Sequence, residues 1–284
     1  MIGRKSRVAV LRVVAAALLF STGGAAIKGA AFSGMQVASI RSGIAAAVLI
    51  LWLRGRMRWS WRVLGIAIVY AATLTLFVTS TKLTTAANAI FLQSTAPLYI
   101  VLLAPFLLRE RFERRDLVFL AGVGAGFALC FAGRAEPTVT APDPVTGNLL
   151  GVICSLTWAL TLMGLRWGER HQPGTALSAV VAGNVLAFLI GLPFLWPLPA
   201  ASMGEWATLG YLGVFQIALA YILLTGAVGH LQALDVSLLL LLEPVLNPIW
   251  TWLVHGERPG GWVLVGGAII IAATATKAVC DSRR

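Results

Sequence analysis

Apolar residues occur along this chain in long runs broken by short polar connectors. Ten such runs can be read, at 8–27, 34–53, 63–81, 86–108, 117–133, 147–165, 176–196, 206–227, 236–254 and 262–279. A helix needs about 17 to 25 apolar residues to cross the roughly 30 Å hydrocarbon core of a bilayer, and every run falls in that range. The pattern therefore predicts an all-α membrane protein of ten transmembrane helices, with both termini on one side.

Composition agrees. Hydrophobic residues make up 58% of the 284 residues, charged residues only 12%, and the mean hydropathy is +0.86. A soluble chain carries about a quarter of its residues as charges, so most of this surface faces something other than water. Cys130, Cys154 and Cys280 are scattered through apolar stretches and read as small hydrophobes, not as a disulfide framework or a metal site. The net charge of +11 sits in the connectors, where it reports orientation and not nucleic-acid binding. With the N-terminus inside, 17 Lys and Arg fall on the inner side and four (Lys28, Lys82, Arg134, Arg258) on the outer, leaving Arg41 within a span. That bias predicts a multi-pass protein of the cell inner membrane with both termini cytoplasmic. The first run follows Arg4, Lys5 and Arg7 in the manner of a secretory signal, but is read as a retained span. Trp52, Trp59 and Trp61, and on the other side Trp196 and Trp206, stand at run ends as an interfacial belt; Trp158 alone lies deep in a run.

The fourth and ninth runs carry the same punctuation. Pro97 precedes Glu110-Arg111 and Pro244 precedes Glu257-Arg258 with the same spacing, and Asn88 and Asp235 open the two runs; each pair is separated by 147 residues. The repeat unit is five spans, and an odd number inverts the second copy across the membrane. The expected units are 1–135 and 147–284. Inverted repeats are the architecture of alternating-access carriers, whose substrate site lies near the midplane between halves.

The stretch from Thr81-Lys82-Leu83-Thr84 through Pro97 to Arg109-Glu110-Arg111 resembles the fourth-span signature of the EamA family in the drug/metabolite transporter superfamily. Leu241-Leu242-Glu243-Pro244-Val245 through His255-Gly256-Glu257-Arg258 resembles its ninth-span counterpart. The resemblance implies a ten-helix bundle around a central cavity and a transport function. Its members include exporters of amino acids and exporters of aromatic compounds or drugs, so it leaves the substrate open.

Polar groups at membrane depth are expensive, about 2.5 to 3.5 kcal/mol each on insertion scales, which marks the candidate site. Glu243 is expected near mid-depth, where a carboxylate can meet a substrate ammonium or take up a proton, or else bridge two helices as a protonated acid. Arg41 can bind a carboxylate through its guanidinium fork or serve as a strut against an internal acid. Pro97 and Pro244 free the carbonyls of Gln93 and Leu240, as breaks facing a cavity or as packing kinks. Trp158, Tyr70, Phe77, Phe91, Gln93 and Tyr99 are candidate cavity walls. Asn88 and Asp235 are expected to cap their helices, Lys82 to snorkel, and Glu110 and Glu257 to pair with the arginines beside them. Gly122 with Gly126 and Gly147 with Gly151 have the small-xxx-small spacing of close helix contacts.

No zinc, P-loop or Ser-His-Asp pattern occurs, so neither an enzyme nor an ATP-driven pump is expected, and no catalytic residue, metal or cofactor. A repeated, proline-broken helix pair favours a rocking carrier over a channel. The expected function is a secondary active exporter of small organic metabolites, amino acids or related compounds, with multidrug or hydrophobic-cation efflux as the alternative. The expected partners are a small-molecule substrate and the lipid bilayer, with no nucleic acid, in a monomer or homodimer.

Overall fold

A computed structural model describes residues 4–107, 114–132, 137–228 and 239–282. The regular secondary structure of the described residues is helical apart from one isolated bridge, Thr138 to Ala141. Its helices are α1 Arg4–Ser21, α2 Gly23–Gly29, α3 Gly34–Leu53, α4 Trp61–Leu83, α5 Ala86–Gln93, α6 Ala96–Leu107, α7 Arg114–Ala132, α8 Pro144–His171 and α9 Thr175–Gly191. They continue with α10 Met203–Tyr211, a π-helical stretch Leu212–Leu219, α11 Ala220–Val228, α12 Leu242–His255 and α13 Gly261–Ser282.

Seven helical stretches among the described residues are long and apolar enough to cross a bilayer. They are Arg7–Gly29, Gly34–Leu53, Trp61–Leu83, Ala86–Leu103, Pro144–His171, Thr175–Phe194 and Met203–Ala227. The fifth and tenth sequence runs form shorter apolar helices, Leu117–Cys130 and Gly261–Thr276, and the described part of the ninth is largely α12. Asp235 and Glu110 fall outside the described residues.

Connectors follow local chemistry. Ser33 and Gln36 form a reciprocal capping box at the start of α3, and Ser202 and Glu205 another at α10, each satisfying amides that a helix start leaves bare. The Asp143 side chain caps α8, with Pro144 in its first turn. Gly256 ends α12 at φ 66°, a left-handed conformation that glycine adopts without a Cβ clash.

In lipid, helix association is driven by close packing and hydrogen bonding, not by hydrophobicity. Alanine accordingly dominates the buried apolar residues. α7 lies along α13, and α4 lies against α8 and α9; α3 packs on α9 and the π-helical stretch; α1 packs on α11 and α12. One glycine of each pair marks a seam where backbones meet. A Cβ at Gly126 would stand 2.6 Å from the Gly266 carbonyl oxygen, and one at Gly147 2.6 Å from the Thr84 amide nitrogen. These backbones touch because no side chain separates them.

The end of the bundle that the charge bias places outside is closed by a buried network. Lys28 on α2 pairs with Glu257 in the α12–α13 connector at 3.3 Å, with the two side chains only 3% and 4% exposed. Glu257 therefore does not form the expected pair with Arg258, because the buried ammonium of Lys28 occupies its carboxylate. Its other oxygen accepts the Ala86 amide at 2.7 Å, placing a carboxylate at the positive end of α5. Lys28 also donates to the carbonyls of Thr84 (2.6 Å) and Thr140. Lys82 does not merely snorkel: it donates to the carbonyl of Ala30. Asn88 is not a cap either. Thr85 caps α5, and the Asn88 amide instead reaches Asn148 at 2.9 Å, whose same oxygen accepts the Thr84 hydroxyl at 2.7 Å.

Removing one partner of a buried ion pair strands the other. Lys28→Met should lower the stability of the purified protein by about 3–5 kcal/mol. Lys28→Met with Glu257→Gln, which keeps an acceptor for Ala86 without the charge, should recover most of that loss. Thermal unfolding in detergent checks both; equal losses in the single and double variants would refute the assignment.

Candidate functional site

Besides the turn at Thr22 between α1 and α2, the chain breaks helix twice more in the interior of the bundle. α5 ends at Gln93 and α6 starts at Ala96, with Pro97 in the first turn of α6, where a missing amide does no harm. The carbonyl of Gln93 that Pro97 leaves free accepts the Ser155 hydroxyl of α8 at 3.4 Å, and Ser155 also meets the Thr95 hydroxyl at 2.8 Å. The second break is at Leu241, a turn residue before α12. Pro244 lies in the first turn of α12, and Glu243 is its second residue. A carboxylate there gains from the positive end of the half-helix.

The two breaks face each other. Gln93, Ala96 and Pro97 from one side and Leu241, Glu243 and Pro244 from the other line a cavity of about 60 Å³, closed by Trp158. An adjoining cavity of about 40 Å³ shares Gln93, Trp158 and Glu243 and adds Arg41, Gln216 and the rings of Phe20, Phe77 and Tyr221. Spaces of this size hold a few waters, well below the roughly 300–1,000 Å³ of a formed small-molecule pocket. The structure thus describes a contracted state of the site.

Arg41 is 1% exposed. It donates to the side-chain oxygen of Gln216 at 3.0 Å and to the Leu74 carbonyl at 3.4 Å, and its Nε has no partner. No carboxylate lies within ion-pair distance of it among the described residues, where Lys28–Glu257 is the ion pair found. The strut reading of Arg41 therefore finds no described acid to brace against. Glu243 makes no hydrogen bond or ion pair to a described residue. The Gln93 side-chain oxygen is also buried without a partner.

Of the other residues singled out from the sequence, Tyr70 stands outside the lining of both cavities. Its ring meets Tyr221 edge-on, with centroids 5.1 Å apart, and its hydroxyl accepts from Asn184 at 3.4 Å. Tyr221 in turn stacks edge-on with Phe20 at 5.2 Å, so Tyr70 buttresses a ring that does line the cavity. Phe91 packs where a Cβ on Gly267 would lie, and Tyr99 is half-buried on α6 away from both linings. Cys130 and Cys154 are buried free thiols; the side chain of Cys280 lies outside the described residues. Sequence reasoning missed Gln216, Tyr221, Phe20 and Thr73. Gln216 had a signal, being a lone amide inside an apolar run, and it falls in a π-helical stretch, a distortion common at functional sites. The aromatic residues and Thr73 had none, since such residues pack equally well anywhere in a bundle.

A wider groove of about 530 Å³ runs between α2, α10 and α12, lined by Thr22, Ala26, Tyr211, Trp250 and His255. It lacks the buried charge that distinguishes the central site.

The EamA-like transporter family profile matches this chain twice, over residues 7–132 and again over 145–276. The chain belongs to the EamA-like transporter family. It is accordingly a multi-pass membrane transporter. This EamA chain is similar to a protein of Archaeoglobus fulgidus named an uncharacterized transporter, 26% identical over 226 residues that cover 80% of this chain and 79% of the relative. It is also similar to a protein of Ancylobacter novellus named aromatic amino acid exporter YddG, 26% identical over 193 residues that cover 66% of this chain and 65% of the relative. A crystal structure superposes with a TM-score of 0.66 at 23% identity, covering 97% of this EamA chain and 98% of the other, a likeness of fold.

Ser155 is what allows the first break to sit in the interior. Ser155→Ala should destabilise the protein by about 1–3 kcal/mol through the stranded Gln93 carbonyl, while Ser155→Thr, which keeps the hydroxyl, should cost less. Unfolding midpoints of the two variants check this, and equal midpoints would refute it.

Proposed function

We propose that this chain is a ten-helix secondary exporter of the inner membrane that moves small amphipathic amino acids by alternating access. The observation that carries the reading is the central cavity. It combines a guanidinium with no described acidic partner, a carboxylate at a half-helix N-terminus, and aromatic walls. A zwitterion with an apolar side chain presents the complementary groups: a carboxylate for Arg41, an ammonium for Glu243, and a side chain for Trp158, Phe20 and Phe77. The aromatic amino acid exporter among the similar proteins supports the same substrate class.

Helix contacts support two inverted repeats, 1–135 and 147–284, because they come as mates. α4 on α8 answers to α11 on α1, and α5 and α6 on α8 answer to α12 on α1 and α2. α4 on α9 answers to the π-helical stretch on α3, while α3–α9, α5–α12 and α7–α13 are each their own mate. Such a pseudo-two-fold arrangement is that of carriers with a single site between halves, and the double family match divides the chain in the same way. The bias of 17 inner against four outer basic residues supports cytoplasmic termini. The contracted cavities fit one state of a cycle in which the halves part to admit substrate. The working unit is a monomer or homodimer in the bilayer, acting on a small solute and not on nucleic acid.

Hydrophobic-cation efflux is the second reading, favoured by Glu243 lying beside so many rings. The two separate on Arg41. In proteoliposomes, Arg41→Ala should reduce phenylalanine transport by about tenfold or more, the worth of a charge-assisted bond to a carboxylate, and Arg41→Lys should restore only part of it. Glu243→Gln should impair amino acids and amines alike. If Arg41→Ala leaves amino-acid transport untouched while cationic dyes still move through Glu243, cation efflux is the function.

A further inference from the structure

We propose that Gln216 is a positioning residue that sets the charge selectivity of the cavity: it holds the Arg41 guanidinium with a neutral acceptor, leaving its positive charge free for the carboxylate of the solute. This rests on the amino-acid reading of the site and goes beyond it to the residue that makes a permanently buried arginine selective.

A guanidinium stays charged at any accessible pH, and a buried one is ordinarily neutralised by an acid. Here its described partners are an amide oxygen and a backbone carbonyl, at 3.0 and 3.4 Å, and its Nε is left without a partner. These contacts fix the direction of the fork without cancelling its charge. Because Arg41 can only donate, the oxygen of the Gln216 amide must face it. Glutamate has the same shape, so replacing one NH₂ by an oxygen decides whether this corner of the cavity is cationic or neutral.

The backbone holds Gln216 in place. A Cβ on Gly213, one turn earlier, would stand 2.8 Å from the Arg41 carbonyl oxygen, so the π-helical stretch lies directly on α3. On the other side, a Cβ on Gly23 would stand 2.8 Å from the Gln216 Nε2. The amide is thus enclosed between α2 and Arg41, with 4% exposure, and faces the cavity on its remaining side. The distortion that spans 212–219 delivers one polar side chain to the arginine from a helix that is otherwise apolar there.

The test compares phenylalanine with phenethylamine, the same ring and ammonium without the carboxylate, in proteoliposomes of the full-length chain. Wild type should favour phenylalanine. Gln216→Glu should raise the KM for phenylalanine by about tenfold or more, with kcat little changed, and should hold or lower that for phenethylamine, inverting the preference. An unchanged ratio of the two KM values in a folded Gln216→Glu protein overturns the proposal while leaving the amino-acid reading intact. Should that variant not accumulate, Gln216→Leu decides, since it removes the acceptor without adding charge. A higher KM for phenylalanine alone supports the positioning role, and an equal effect on both solutes overturns it. Failure of the underlying reading looks different: wild type itself carries phenethylamine and not phenylalanine, and Arg41→Ala changes neither.

Discussion

A bilayer offers no water to a backbone amide, so every polar group at membrane depth must find its partner within the protein. This single constraint explains the arrangement of the molecule. Helices dominate because they satisfy their own backbone. Where the chain leaves the helix within the apolar stretches, at Thr22, at 94–95 and at Leu241, it does so beside a hydroxyl donor or a small polar cavity. Seen this way, the latter two breaks are what the site is made of. Each supplies a half-helix start, and the two starts come face to face at the one place in the described interior where two oppositely charged side chains gather without pairing to one another.

The same constraint governs the closed end of the bundle. Lys28 is met there by the Glu257 carboxylate and the Thr84 and Thr140 carbonyls, and Glu257 by the Ala86 amide, so a lysine and a glutamate can be almost inaccessible. The contrast with the centre is instructive. At the end, charge is neutralised and the segments are tied; in the cavity, charge is held by neutral groups and remains available.

Much of this was legible in the sequence because lipid imposes so strict a code. Run length, basic connectors and the repeated proline with its following glutamate pointed to the helical architecture and to the breaks in the fourth and ninth apolar runs, and Glu243, Arg41, Trp158 and Gln93 do meet around adjoining cavities. What escaped was contact specificity. Asn88 looks like a cap by its position, yet Thr85 three residues earlier takes that role and frees it to reach Asn148. Glu257 has Arg258 beside it in sequence, but neighbouring residues at a turn point apart, and the lysine that finds it comes from the far end of the chain. Tyr70 carries the right chemistry for a cavity wall and lies one ring behind it. Spacing along a helix reports a face; which of several neighbours that face meets is settled by tertiary packing.

The tie between Lys28 and Glu257 also bears on how the molecule is made. Lys28 follows the first apolar run and Glu257 the ninth, so the long stretch between them must be synthesised before the ammonium meets its counter-charge. Thr84 and Thr140, whose carbonyls also receive it, arrive at intermediate times. During that interval the unpaired ammonium is best solvated in the headgroup region. The pair can form only once the α12–α13 connector has been made, so it ties two segments far apart in sequence late in assembly.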